Sequence, residues 1–196
     1  TLLILRDLHA GPARFSELQQ GLTGIATNLL TQRLNGLIGD NLISKQEGAH
    51  GTTLYQLTEI GLTTNGVLFE LAMLGIQYSP QGDVIRPGNL RTIAVTLGTA
   101  CQHAIGAHTD FIAKISVDGE SFALIAKSGH AEMTYQTVNS PDLELETTYE
   151  AMLALTEGKM TFENFSAGHC KFTVHTTGKE FEFMALLTAA QSRLQG

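Results

Sequence analysis

The chain has 196 residues, 43% of them hydrophobic and 16% charged, an ordinary globular composition that excludes a disordered or low-complexity protein and leaves room for one large domain or two small ones. Its formal net charge of −7 weighs against a strongly basic nucleic-acid binder, because neutralising phosphates takes Lys and Arg. No apolar run approaches the roughly 20 residues needed to cross a bilayer, and the opening residues meet Arg6 and Asp7 too early for a signal peptide, so a cytoplasmic protein with no membrane partner is expected.

In chain order, Leu2, Leu3, Ile4, Leu5 and Leu8 read as the buried part of a helix with no cap before it, so the natural chain is expected to begin upstream. Phe15 to Gln20 is a short helix with Ser16 as its N-cap and Phe15 and Leu18 facing inward. The next helix runs from about Thr27 to Gly39, with Leu30, Leu34, Leu37 and Ile38 on one apolar face and Ile25 placed to staple against Leu30. Its opposite face carries Asn28, Thr31, Gln32 and Asn35, side chains of a length that suits base edges in a major groove; by composition alone the same face reads as a solvated surface. Leu42 to Gln46 and Thr53 to Leu57 are two strands around the Gly48–Gly51 tip. Thr58 then caps a helix of nearly 20 residues through Leu74, with Val67, Leu71 and Leu74 on one side and Phe69 and Met73 on another. A second apolar face calls for a partner, either a further N-terminal helix or a second copy of the chain.

Two of the four prolines, Pro80 and Pro87, lie in a Gly-rich polar stretch over 77–89 that reads as a linker. After it the pattern becomes α+β. A helix from Leu90 to about Ala107 precedes three meandering strands, Phe111–Val117, Ser121–Lys127 and Ala131–Val138, the first two joined by the hairpin signal Asp118-Gly119. A fourth strand at Leu143–Thr147, a helix at Tyr149–Leu155, a second short helix or turn at Lys159–Phe165, a strand at Gly168–His175 and a closing helix at Lys179–Leu194 complete a sheet covered by helices.

The blocks LLILRDLHAGPARFSEL, GIATNLLTQRLNGLIGDNLI and YQLTEIG, in that order and spacing, resemble the winged helix-turn-helix of HxlR-type transcription regulators, relatives of the MarR group. PDLELETTYEAMLALTEGKMTFENF, with the strand and helix after it, resembles the sterol carrier protein type 2 fold. The expected organisation is therefore a winged helix-turn-helix domain over 1–76, a linker over 77–89 and a sterol-carrier-like α+β domain over 90–196, with an antiparallel sheet covered by helices.

The resemblance implies a homodimer that places the Thr27–Gly39 helix in the major groove of double-stranded DNA carrying an inverted-repeat operator, while the hairpin reaches the flanking backbone or minor groove. It implies base contacts for Thr27, Asn28, Thr31, Gln32 and Asn35, a structural or phosphate role for Arg33, phosphate contacts for Arg14 and Lys45, and a wing-tip contact for His50. The sequence departs from the pattern where Ala26 replaces the usual Ser cap, at a cost of about 1 kcal/mol. The wing tip has no Lys or Arg, and residues 1–75 carry four basic side chains against six acidic ones. The cysteine-bearing first helix of the family is absent, and Cys101 and Cys170, far apart and without a partner motif, read as reduced, buried thiols.

In the second domain, Met152, Leu155, Phe162, Phe165, Phe181, Met184 and Leu187 either line a pocket for an apolar small molecule or fill a closed core. No cofactor is read, and no metal site: His103 and His108 are five apart on a helix, and the adjacent His169 and Cys170 point to opposite sides of a strand. The chain is not read as an enzyme, since it lacks a nucleophile elbow, a phosphate-cradling loop and a His-Glu-x-x-His, and Glu144 with Glu146 reads as an exposed edge. The expectation is a regulator whose apolar ligand shifts the spacing of the recognition helices; the alternative is a lipid or small-molecule carrier whose helix-turn-helix is only an interaction scaffold.

Overall fold

The computed structural model describes residues 1–48, 51–76, 90–135 and 138–195, so the expected linker over 77–89 and the wing-tip residue His50 lie outside the described residues. The chain divides into two compact units, Thr1–Val95 and Thr96–Gly196.

The first unit contains α1 (Leu2–His9), β1 (Ala13–Arg14), α2 (Phe15–Gly21), α3 (Thr27–Gly39), β2 (Ile43–Glu47), β3 (Thr53–Leu57), α4 (Glu59–Leu62) and α5 (Asn65–Ile76). Its core is the stripe the helical periodicity marks: Leu30, Leu34 and Leu37 of α3 pack with Ile4, Leu5, Leu8, Leu18 and Ile43, all nearly fully buried. Leu2 and Leu3, expected inside, are about half exposed, because three successive helical residues cannot share one face with Ile4 and Leu8. The N-cap of α2 is Arg14 rather than Ser16: the Arg14 backbone N–H donates to the Glu17 carboxylate at 2.7 Å, a tie that a carboxylate three residues on makes well. As expected, Ala26 caps α3 without a side-chain bond.

The long helix expected from Thr58 to Leu74 is two helices. Thr58 does cap the first, its hydroxyl accepting from the Gly61 N–H at 3.0 Å and donating to the Asn41 carbonyl at 2.7 Å. One turn later the Thr63 and Thr64 hydroxyls donate to the Ile60 and Gly61 carbonyls at 2.7 and 2.6 Å, capturing acceptors that a continuing helix would use. The Thr64 carbonyl then accepts from Leu68 N–H at 3.1 Å and starts α5 afresh.

Helix α6 (Leu90–Ala104) begins in the first unit and ends in the second. The second unit continues with β4 (Asp110–Val117), β5 (Glu120–Lys127), β6 (His130–Thr134), β7 (Leu143–Thr147), α7 (Tyr149–Thr156), α8 (Phe162–Gly168), β8 (Cys170–Val174) and α9 (Lys179–Gln195). Its sheet has the order β6-β5-β4-β7-β8, antiparallel except for the parallel pair β4 and β7. The register puts Phe111, Ala113, Ile115 and Val117 of β4 in rows with Phe122, Leu124 and Ala126 of β5, Ala131 and Met133 of β6, and Leu143 and Leu145 of β7. All of these are buried, and Phe111 meets Phe183 of α9 edge-on at 5.6 Å, so this is the helix-covered face. The opposite face carries Lys114, Ser116, Glu144 and Glu146. Asp118 and Gly119, both with left-handed backbone, make the β4–β5 turn; Ser128 and Gly129 repeat that geometry between β5 and β6.

Candidate nucleic-acid interface

Helix α3 separates its two faces cleanly. Leu30, Leu34 and Leu37 are buried, while Thr27, Asn28, Thr31, Gln32, Arg33 and Asn35 are all exposed. Gly36 and Gly39 are exposed on the same helix, with open space where a Cβ would stand, so this surface permits close approach of a ligand backbone. Two features went unread in the sequence. Leu29 is 42% exposed, three and four residues before Gln32 and Arg33 and so beside them, an apolar group of the kind that meets a thymine methyl. The signal was present, since Leu29 falls off the Leu30, Leu34, Leu37 stripe. The second is Gln19 of α2, whose side-chain amide donates to the Thr27 hydroxyl at 2.9 Å, while the Thr31 hydroxyl donates to the Thr27 carbonyl at 2.9 Å.

The cationic candidates divide between surfaces. Strand β3 pairs with both β1 and β2, which places Ala13, Tyr55 and Lys45 in one row and Arg14, Leu54 and Gln46 in the next. Arg14 and Lys45 therefore stand on opposite faces of this small sheet and cannot share one phosphate. The Lys45 ammonium lies over the Tyr55 ring, 5.7 Å from its centroid, which holds the stem of an exposed side chain against the wing. Arg33 leaves α3 on the flank between its polar and buried faces.

Residues 1–83 match the HxlR-like helix-turn-helix family. Among solved structures, the reduced form of the transcriptional regulator YodB from B. subtilis is 29% identical over 41% of this chain and 81% of that one, with a TM-score of 0.36. The quinone-bound form of YodB is also 29% identical, over 39% of this chain and 81% of that one, with a TM-score of 0.34. The sterol carrier protein domain 2 of Helicoverpa armigera is 20% identical over 57% of this chain and 97% of that one, with a TM-score of 0.44. No curated protein sequence matches the chain. The HxlR-like match takes in the whole of α1 to α5, including the exposed face of α3, both strands of the wing and the paired threonines that interrupt the last helix.

In the second unit, Met152, Leu155, Phe162, Phe165 and Leu187 are buried, and Phe162 stacks on Phe165 at 5.8 Å. Met184 is half-buried, and Phe181 is 70% exposed. The register of α9 instead turns Phe183 inward, against Phe111, Phe162 and Phe172. Gln191, on the same helix, is also buried: its amide donates to the Leu155 and Met160 carbonyls at 3.2 and 2.5 Å and accepts from Phe162 N–H at 3.0 Å. Cys101 is fully buried, which raises its thiol to about 12, whereas Cys170, expected buried, is only half-buried and its partial desolvation raises it to about 11, so neither is a reactive thiolate at neutral pH. Among the described residues no group of His, Cys, Asp and Glu is placed to hold a metal, and no helix is long and apolar enough to cross a membrane.

Proposed function

We propose that the protein is a DNA-binding transcription regulator that acts as a homodimer on an inverted-repeat operator, with α3 reading the major groove. The observation that carries this reading is the exposed row Asn28, Thr31, Gln32 and Asn35 on the helix whose other face builds the core, within a unit that matches the HxlR-like helix-turn-helix. Asn and Gln offer bidentate pairing to adenine, and Arg33 and Lys45 supply phosphate contacts on the flank and the wing. Dimerisation falls to the apolar side of α4 and α5, where Ile60, Leu62, Val67, Leu71 and Leu74 are each 46 to 62% exposed, more apolar surface than an isolated unit leaves in water. The second unit then binds an apolar small molecule beside Met152, Leu155, Phe162, Phe165 and Leu187, and the ligand biases the spacing of the two α3 helices by its differential affinity for the two states.

Binding to the DNA upstream of the protein's own gene, followed by fluorescence anisotropy against salt with a scrambled duplex beside it, tests the reading. Preference for the upstream duplex with a steep salt slope is expected. Equal, feeble binding to both duplexes rejects it in favour of a small-molecule carrier, the reading that the acidic balance of residues 1–75 favours.

A further inference from the structure

Thr27 and Thr31 look interchangeable in the sequence, two threonines one turn apart on the exposed side of α3. Their hydroxyls are committed in opposite senses. The oxygen of Thr27 accepts the amide N–H of Gln19 at 2.9 Å, and among the described residues no acceptor takes its proton. The proton of Thr31 goes to the Thr27 carbonyl at 2.9 Å, and among the described residues no donor reaches either lone pair of its oxygen. A hydroxyl has one proton to give, so each partnership decides what remains for a ligand.

We infer that Gln19, which lies on α2 and not on the recognition helix, is a specificity-determining positioning residue: it presents Thr27 to DNA as a hydrogen-bond donor, while the backbone leaves Thr31 as an acceptor. The inference rests on the DNA-reading role of α3 proposed above. Thr27 then selects an acceptor on the operator, such as guanine O6 or N7, thymine O4 or a phosphate oxygen, and Thr31 selects an exocyclic amine of adenine or cytosine. Gln19 has a geometric reason to act only through Thr27. It is half-buried, and among the described residues the hydrogen bond its side chain makes goes to that hydroxyl, so its influence on DNA passes through one oxygen. Without it the Thr27 hydroxyl turns freely, because Thr27 opens α3 and has no carbonyl of its own helix four residues back to hold its proton as Thr31 has.

The test is a double-mutant cycle on the full chain, with Gln19→Leu, Thr27→Val and the pair, each assayed for affinity on the upstream duplex and on a set carrying every single base-pair change. Thermal melting by circular dichroism, run in parallel, fixes a temperature at which all four proteins are folded. Gln19→Leu and Thr27→Val each weaken binding to the upstream duplex, Thr27→Val by roughly tenfold, and the pair binds no more weakly than Thr27→Val alone. A loss confined to particular base pairs identifies the acceptor as a base edge, and a loss equal across the set identifies it as a phosphate; both preserve the assigned polarity. The inference is overturned if Gln19→Leu leaves affinity and base preference as in the parent, or if the losses of the two single variants multiply in the pair. If the parent protein itself fails to prefer its upstream duplex, the regulator reading falls and takes this inference with it, an outcome visible before any variant is made.

Discussion

Asp7 of α1 is fully buried, one carboxylate oxygen paired with Arg6 at 2.6 Å and the other facing Gly21 with no partner among the described residues. Burial raises its pKa and outweighs the attraction of Arg6. A raised folded-state value means that Asp7 stabilises the fold at low pH and loses that contribution as pH rises through it. Removing Arg6 takes away the ion-pair partner and leaves the buried charge only the weaker attraction of Arg91, so Arg6→Ala is expected to cost about 2–3 kcal/mol at pH 7 and visibly less near pH 4, read from urea titrations at the two pH values. Gln191 is the contrasting case, a buried amide whose donor and acceptor groups are all engaged. Gln191→Leu keeps the volume but strands the Phe162 N–H and the Met160 carbonyl, while the Leu155 carbonyl keeps the Gly158 N–H, for a loss of about 2–3 kcal/mol in thermal denaturation of the second unit. Neither role was readable from residue type, since both depend on which chain segment arrives opposite. The same holds for Phe181 and Phe183, two positions apart on α9. Only packing against Phe111 and Phe172 decides which of them is core.

At the scale of elements, the break between α4 and α5 is fixed in place by Gly61 and His9. A Cβ at Gly61 would collide with the Leu42 carbonyl, so Gly61→Ala is expected to destabilise the first unit by roughly 3 kcal/mol or more, lowering its melting temperature without altering that of the second unit. His9 lies 2.9 Å from the Thr64 hydroxyl, whose own proton goes to Gly61; the ring nitrogen is therefore the donor, and the neutral imidazole is the form the site holds. Burial lowers the pKa of His9 from 6.5 to about 4. Because the folded value lies below the unfolded one, stability is full above pH 6.5 and falls as pH drops towards 4. The difference, discounted for the ring's partial exposure, is on the order of 1–2 kcal/mol, and His9→Gln should remove it from a pH series of chemical melts. Helices α1, α3 and α9, the β2–β3 hairpin and the strands β4, β5, β7 and β8 were legible from periodicity and turn chemistry to within a residue or two, whereas the two-residue β1 went unread and β6 ends at Thr134, short of the expected Val138. The interruption of the long helix was not, because Thr63 and Thr64 are tolerated in helices and break one only when their hydroxyls find carbonyls to hold. In the candidate interface the polar face of α3 was legible and Gln19 was not, since nothing in its spacing announces a bond across a turn to another helix.

For the whole molecule, a formal charge of −7 leaves the proposed DNA binding to a few well-placed cations and to the proposed pairing of two copies. Leu71→Glu, in the exposed apolar stripe of α5, is accordingly expected to give a 21.1 kDa monomer in sedimentation and to abolish preference for an inverted repeat, with the unit's melting temperature little changed. Strand order was the least legible feature at this scale: a meander is implied by short turns, but nothing in the pattern says that β7 joins β4 rather than β6. That parallel pairing bears on how the chain is made. β4 finds β5 through a two-residue turn, whereas its other edge waits until residues 143–147 have been synthesised. During that interval a nascent chain presents one open edge of a strand whose alternate residues are Phe111, Ala113, Ile115 and Val117, a template for pairing with another nascent chain. Truncations that end between Thr134 and Leu143 should therefore aggregate during synthesis, and chains that include β7 should not.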